Sequence, residues 1–175
     1  MTTTTQLLEQ PFSTMSDMVR AHAQERPAHT AIVDGDRVLT FAEFDALIDR
    51  AAVGLQRDGV DNMGAVAMCG PSSIEYVTVF VAALRIGAAA CPLAPSSTAE
   101  QLAAMVRDCG AGILFVDDNA SAALDTIVEK LAIKCVALEG GANPSFASWL
   151  APQGAKPTPV TIDPDQTFNI IYSSG

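Results

Sequence analysis

The sequence is short of charge, and shorter still of positive charge. Charged residues fill only 17% of positions, and 10 Lys plus Arg face 20 Asp plus Glu, for a formal net charge of −10. The lysines are Lys130, Lys134 and Lys156, and the arginines are scattered. A protein that grips nucleic acid needs a basic stripe to neutralise phosphates, and the sequence has none. No nucleic-acid partner is expected, and the acidity favours solubility without naming a partner. Paired cysteine spacing is missing too. Cys69, Cys91, Cys109 and Cys135 form no C-x-x-C pair and lie in or beside apolar runs. That pattern predicts reduced, buried thiols in a cytoplasmic protein, with neither a disulfide framework nor a zinc site. The first residues, Met1-Thr2-Thr3-Thr4-Thr5, lack the basic and apolar regions of a secretory signal. No long apolar run is unbroken. Residues 77–94 are interrupted by Arg85, Gly87 and Pro92. They read as a buried helix followed by a buried strand, so no membrane span is expected.

What the sequence does have is core. Apolar residues reach 49%, which excludes disorder over the whole chain. A chain of 175 residues suits about one domain and buries roughly 70% of its extended surface.

Residues 1–12 are polar and expected to be loose, leaving 13–175 as one α/β unit. Residues 14–25 carry Met15, Met18, Val19 and His22 at helical spacing, and Pro27 ends the run. Residues 30–33 and 37–40 flank Asp34-Gly35-Asp36, a hairpin turn. Thr40 and Glu43 form a capping box for a helix with Phe44, Leu47, Ile48, Ala51, Ala52 and Leu55 on one face, and Gly59 follows it. The pattern then becomes regular. Short apolar runs at 65–69, 88–92, 113–116 and 134–138 alternate with helical stretches at 72–86, 97–109 and 120–131. Ser72 with Glu75, and Ser97 with Glu100, read as further capping boxes. Strands separated by helices of this length make βαβ units, so the fold class is α/β with a mainly parallel sheet and crossover helices. Residues 139–164 are rich in Pro and Gly and read as a surface connection, with a helical turn at 145–150 that tucks Trp149 against the core. A last strand is expected over 167–172.

Few side chains suggest chemistry. Tyr172-Ser173-Ser174-Gly175 follows the last predicted strand, at the end of the sheet where open α/β folds bind ligands. Hydroxyls and a glycine there suit the start of a phosphate-binding loop, although a polar tail has the same composition. Asp117 and Asp118 end another strand. Paired acids could hold Mg²⁺, but too little chain follows for a receiver-type domain, and a solvated strand-to-helix turn is the better reading. His22 and His29 have no ligand-spaced partner and read as structural. Asp45, Asp49 and Glu129 read as a solvated helix face. The segment 84–93 reads as structural, with Gly87 ending a helix and Pro92 ending a strand.

Three segments, in order, resemble one known superfamily. Leu39-Thr40-Phe41-Ala42-Glu43-Phe44 resembles an early L-T/S-Y-x-E-L segment. LRIGAAACPLAP at 84–95 resembles L-K-A-G-x-x-Y-V-P-L-x-P. NIIYSSG at 169–175 resembles the opening of Y-T-S-G-T-T-G-x-P-K-G, a phosphate loop. The chain thus resembles the N-terminal part, about the first third, of the adenylate-forming enzymes, which include acyl-CoA synthetases and peptide-synthetase adenylation domains. The resemblance implies a partial N-terminal domain of that fold, truncated inside the phosphate loop. It implies ATP, Mg²⁺ and CoA as substrates, with a carboxylic acid activated as its adenylate and then joined to a thiol. Ser173 and Ser174 would donate hydroxyl hydrogen bonds to phosphate, and Gly175 would let the backbone approach. No catalytic residue and no metal ligand is carried over, so the chain alone is expected to be inactive. It would need the C-terminal part of its own fold as partner, and the sheet edge which that part covers would be exposed and sticky. CPLAP at 91–95 departs from the peptide-synthetase form, which tilts the reading toward an acyl- or aryl-CoA ligase. The alternatives are an adenylation domain that loads a carrier protein, and a non-catalytic α/β binding module.

Overall fold

The structure, a computed structural model, describes residues 3–119, 121, 133–140 and 144–173. In the N-terminal segment expected to be loose, α1 (Thr4–Leu8) forms with Thr3 as cap. Glu25 accepts from both the Thr4 amide (2.9 Å) and the Thr4 hydroxyl (2.7 Å). Glu25 is the last residue of α2 (Met15–Glu25), which opens on a Thr14–Asp17 capping box. The α2 stripe differs from the expected one. Met15 is 56% exposed, while Ser16 is buried beside Val19 and Ala21. The reason is polar: the Ser16 hydroxyl accepts from Arg85 Nε at 2.8 Å.

The antiparallel hairpin β1 (Thr30–Asp34) and β2 (Arg37–Thr40) turns through Gly35, whose φ of +58° suits glycine. Arg37 fastens the turn to Glu75 (2.6 Å). The Thr40–Glu43 capping box is present and opens α3 (Phe41–Arg57). Then follow β3 (Ala65–Cys69), α4 (Ile74–Arg85), β4 (Ala89–Leu93), α5 (Ala99–Cys109), β5 (Ile113–Val116), β6 (Lys134–Ala137) and α6 (Phe146–Trp149). The strand order is β4-β3-β5-β6, and every pair is parallel. This is the α/β sheet that the alternating pattern predicts. The helix expected over 120–131 lies outside the described residues, apart from residue 121.

Two helix starts are shifted by one residue. Ser73, not Ser72, caps α4, and its N3 residue is Tyr76, so no reciprocal box closes. Glu75 is drawn to Arg37 instead. Thr98, not Ser97, caps α5, and Gln101, not Glu100, returns the bond at 2.9 Å.

The sheet buries both faces. Val66, Met68, Ala90, Phe115 and Val136 pack under α3 and α4. Ala67, Cys69, Cys91, Leu93, Leu114 and Val116 pack with Leu102 and Val106 of α5. Burial on both sides explains why β3 reads as a continuous apolar run. Trp149 closes the first face, as expected. Its ring meets Phe115 edge-on at 4.9 Å, and its Nε1 donates to Asp58 at 2.6 Å. Gly54 makes room for it: a Cβ there would stand 2.7 Å from Trp149 Cζ2.

The supposedly solvated face of α3 needs correction. Asp49 is 1% exposed, and Asp45 is largely covered. Both hold Arg85, whose side chain is 2% exposed: Nη1 reaches Asp49 Oδ1 at 2.7 Å, and Nη2 reaches Asp45 Oδ1 at 2.6 Å. Lys156 donates to Asp49 Oδ2 at 2.5 Å. A buried guanidinium needs such partners, because an unpaired buried charge is costly. Burial opposes ionisation of Asp49, but its bond from Lys156 and the charge of Arg85 outweigh that and hold its carboxyl below the usual range.

Candidate functional site

The motif at the end of the chain must reach the edge of the sheet next to β4, whereas β6 lies at the opposite edge. The Pro-rich connection, 150–167, makes that crossing along α3. Arg50 Nε donates to the Ala151 carbonyl at 2.7 Å. Gln56 exchanges two bonds with the Thr158 backbone, both at 2.9 Å. Asn62 donates to the Thr161 carbonyl at 3.0 Å. Gln166 Nε2 then donates to Asn62 Oδ1 at 2.6 Å and to the Gly87 carbonyl. Side chains of the helix and the loop after it thus do the work that a ladder does elsewhere, since proline cannot donate.

The last strand is shorter than expected. Of residues 167–172, only Asn169 bridges β4, opposite Ala90. Ala90 donates to Phe168 and accepts from Ile170, both at 2.9 Å. In a parallel ladder the next donor on this edge would be residue 92, which is Pro92 and has no N–H. Pro92 therefore limits this edge to one bridge. Asn169 Oδ1 is buried there without a hydrogen-bond partner among the described residues.

Side chains of the segment alternate. Ile170 and Tyr172 turn onto the α5 face, while Phe168 and Ile171 are 65% and 73% exposed. The Tyr172 hydroxyl lies 2.7 Å from Asp108 Oδ2 and 3.0 Å from the Met105 carbonyl oxygen, both on α5. Desolvation, and then the Asp108 carboxylate, raise its pKa above that of an ordinary phenol, so it is a donor at physiological pH. Running parallel to β4, the chain passes the end of that strand with Ser173 exposed. Ser174 and Gly175 lie outside the described residues.

Two thiols lie on the same α5 face. Cys91 hydrogen-bonds to Cys109; this bond and burial push the Cys91 thiol up, and the same bond brings the Cys109 thiol down. Burial pushes Cys69 up to about 11. All four cysteines are free.

The remaining candidates do not assemble. His22 stacks near Phe41 and bonds to Arg26. Asp117 donates its amide to the Cys69 carbonyl at 3.0 Å, which fixes the turn after β5. No group of three or more His, Cys, Asp or Glu among the described residues could hold a metal ion. No helix of the described residues is long and apolar enough to cross a membrane. A cavity of about 300 Å³, lined by Phe12, Met15, Leu84, Ile162 and Phe168, opens beside Gly87 and Ala88, at the start of β4. It is at the other end of the strand from Ser173.

Sequence reasoning missed the Arg85 cluster and the Tyr172–Asp108 contact. The first had a signal, an arginine inside the apolar run 77–94. The second had none, because its partners are 64 positions apart.

Comparison with known proteins agrees with this geometry. The family model for AMP-binding enzymes matches residues 19–175. The chain is 29% identical over 165 residues to an indoleacetate–CoA ligase of Aromatoleum aromaticum, covering 92% of this chain and 32% of that protein. It is 30% identical over 166 residues to 4-coumarate–CoA ligase 5 of Oryza sativa subsp. japonica, covering 92% and 30%. The chain thus spans about a third of the length of these relatives. Its fold matches the N-terminal domain of FACL13 from Mycobacterium tuberculosis, with a TM-score of 0.82 and 25% identity over 93% of this chain and 42% of that one. With the fold, the edge motif and the match over 19–175 in agreement, this chain belongs to the family of AMP-binding enzymes and has the N-terminal part of the adenylate-forming fold.

Proposed function

We propose that this chain is the N-terminal part of an ATP-dependent acid–CoA ligase, with residues 13–175 as its first α/β subdomain and residues 1–12 as a leading segment. The observation that carries the reading is the family match running through Ser173, Ser174 and Gly175. In this reading these three residues open the phosphate-binding loop. The carboxylate oxygen of the acid attacks the α-phosphorus of Mg·ATP and pyrophosphate leaves. The thiol of CoA then attacks the acyl carbon, and AMP leaves with the electron pair. AMP is needed because a carboxylate oxygen is a poor leaving group at neutral pH. Hydroxyls and backbone N–H groups at the loop supply the donors that a charged phosphate requires. Mg²⁺ enters as part of the nucleotide substrate. An aromatic carboxylic acid is the favoured substrate class, supported by the indoleacetate and 4-coumarate specificities in the names of the two relatives. The four free thiols suit a cytoplasmic setting.

The test is to express the native gene, measure the intact mass of its product, and assay it for ATP–pyrophosphate exchange with a panel of aromatic acids. A mass several times that of this chain, with acid-dependent exchange, is the expected result. A carrier domain in the product, with acyl transfer to it rather than to CoA, would favour the carrier-loading reading. A product no longer than this chain, with no nucleotide affinity, would overturn the ligase reading.

A further inference from the structure

The segment that leads into Ser173 is held at three places. Gln166 ties its start to Asn62 and Gly87. Ala90 holds its middle through Phe168 and Ile170. Past Ile170 the ladder stops at Pro92, and Ile171 is largely exposed. Among the described residues, the next hydrogen bonds are those of the Tyr172 hydroxyl to α5. The side chain thus supplies the next anchor after Ile170.

We propose that the Tyr172 hydroxyl is a positioning group, a latch to Asp108 and Met105 on α5 that fixes where the phosphate-binding loop begins. The proposal rests on the nucleotide reading above. A phosphate cradle works only when its donors stand in the right place, and a shift of about 1 Å can cost on the order of 100-fold in rate. Tyr172 touches no substrate in this scheme; it acts through the backbone of Ser173. Its single proton serves two acceptors, with the shorter contact to the charged carboxylate.

The test uses the full product of the native gene in ATP–pyrophosphate exchange. Tyr172→Phe keeps the ring on the α5 face and removes only the hydroxyl. It is expected to lower kcat/KM for ATP by about 10- to 100-fold. The KM for the acid should stay unchanged, and the melting temperature should move by no more than about 5 °C. Asp108→Ala should act in the same direction. Asp108→Asn, which keeps a carbonyl oxygen as acceptor, should restore most of the loss. A merely structural tyrosine would not give that pattern of ATP dependence and rescue. Wild-type exchange with Tyr172→Phe and Asp108→Ala both unchanged overturns the latch and leaves the nucleotide reading standing. Wild-type protein that neither exchanges pyrophosphate nor binds Mg·ATP overturns both.

Discussion

The two edges of β4 carry similar apolar neighbours and treat them differently. On one side β3 pairs with β4 at five successive positions. On the other, residues 168–170 pair at one. The residues of β4 that bond toward β3 are Ala89, Cys91 and Leu93, and those that bond outward are Ala90 and Pro92, because donors alternate along a parallel strand. Pro92 therefore costs the inner pairing nothing and cuts the outer one short. The inner region is closed by core packing and buried charge, and its residues decide stability. The outer segment is held by side chains and leaves Phe168, Ile171 and Ser173 toward solvent. In the function proposed above, this segment leads into the phosphate-binding loop.

The largest expected effect is at the inner region's buried charge. Asp49→Ala leaves Arg85 with only part of its partners and is expected to cost about 3–5 kcal/mol in urea unfolding. A loss below about 1 kcal/mol would mean that water reaches the guanidinium. The same group sets an acid limit. The Asp49 carboxyl is held below its unfolded value. Its contribution is therefore complete above about pH 4, the unfolded value, and fades as pH falls through the folded one. Gly54→Ala comes next. The added methyl drives into the Trp149 ring, for a net loss of about 1–3 kcal/mol despite better helix propensity. Tryptophan fluorescence and thermal melting read it together. The smallest effect tests the outer edge directly. Pro92→Ala supplies the missing N–H, and amide exchange at Ile170 and its neighbours should slow by up to roughly tenfold, the worth of one hydrogen bond. No change there would show that something other than Pro92 ends the ladder.

Much of the fold was legible because it is local. Glycines after helices, hydroxyl caps and short apolar runs mark β3, α4, β4, α5 and β5 within a residue or two. Cap positions slipped at Ser73 and Thr98 because two hydroxyls stand side by side, and only side-chain reach selects one. Asp49 was misread because a carboxylate on a helix is solvated by default, and its partners Arg85 and Lys156 are 36 and 107 positions away. The final strand was overextended because Pro92 reveals a missing donor but not which neighbour lies on that side. At the candidate site, Ser173 is described and exposed, and the phosphate-binding role of Ser173, Ser174 and Gly175 is a proposal. The Tyr172 anchor on Asp108 was not legible in the sequence, since only the folded chain brings α5 beneath it.

Stability and the proposed function divide across β4, and Ser173 is the residue at which the division can be tried. Ser173→Ala in the native gene product should be measured for ATP–pyrophosphate exchange and thermal melting side by side. The expected result is a fall in kcat/KM for ATP of at least about tenfold, the worth of one charge-assisted hydrogen bond, with an unchanged melting temperature. Unchanged exchange would contradict it, and so would a lowered melting temperature with no ATP-dependent loss.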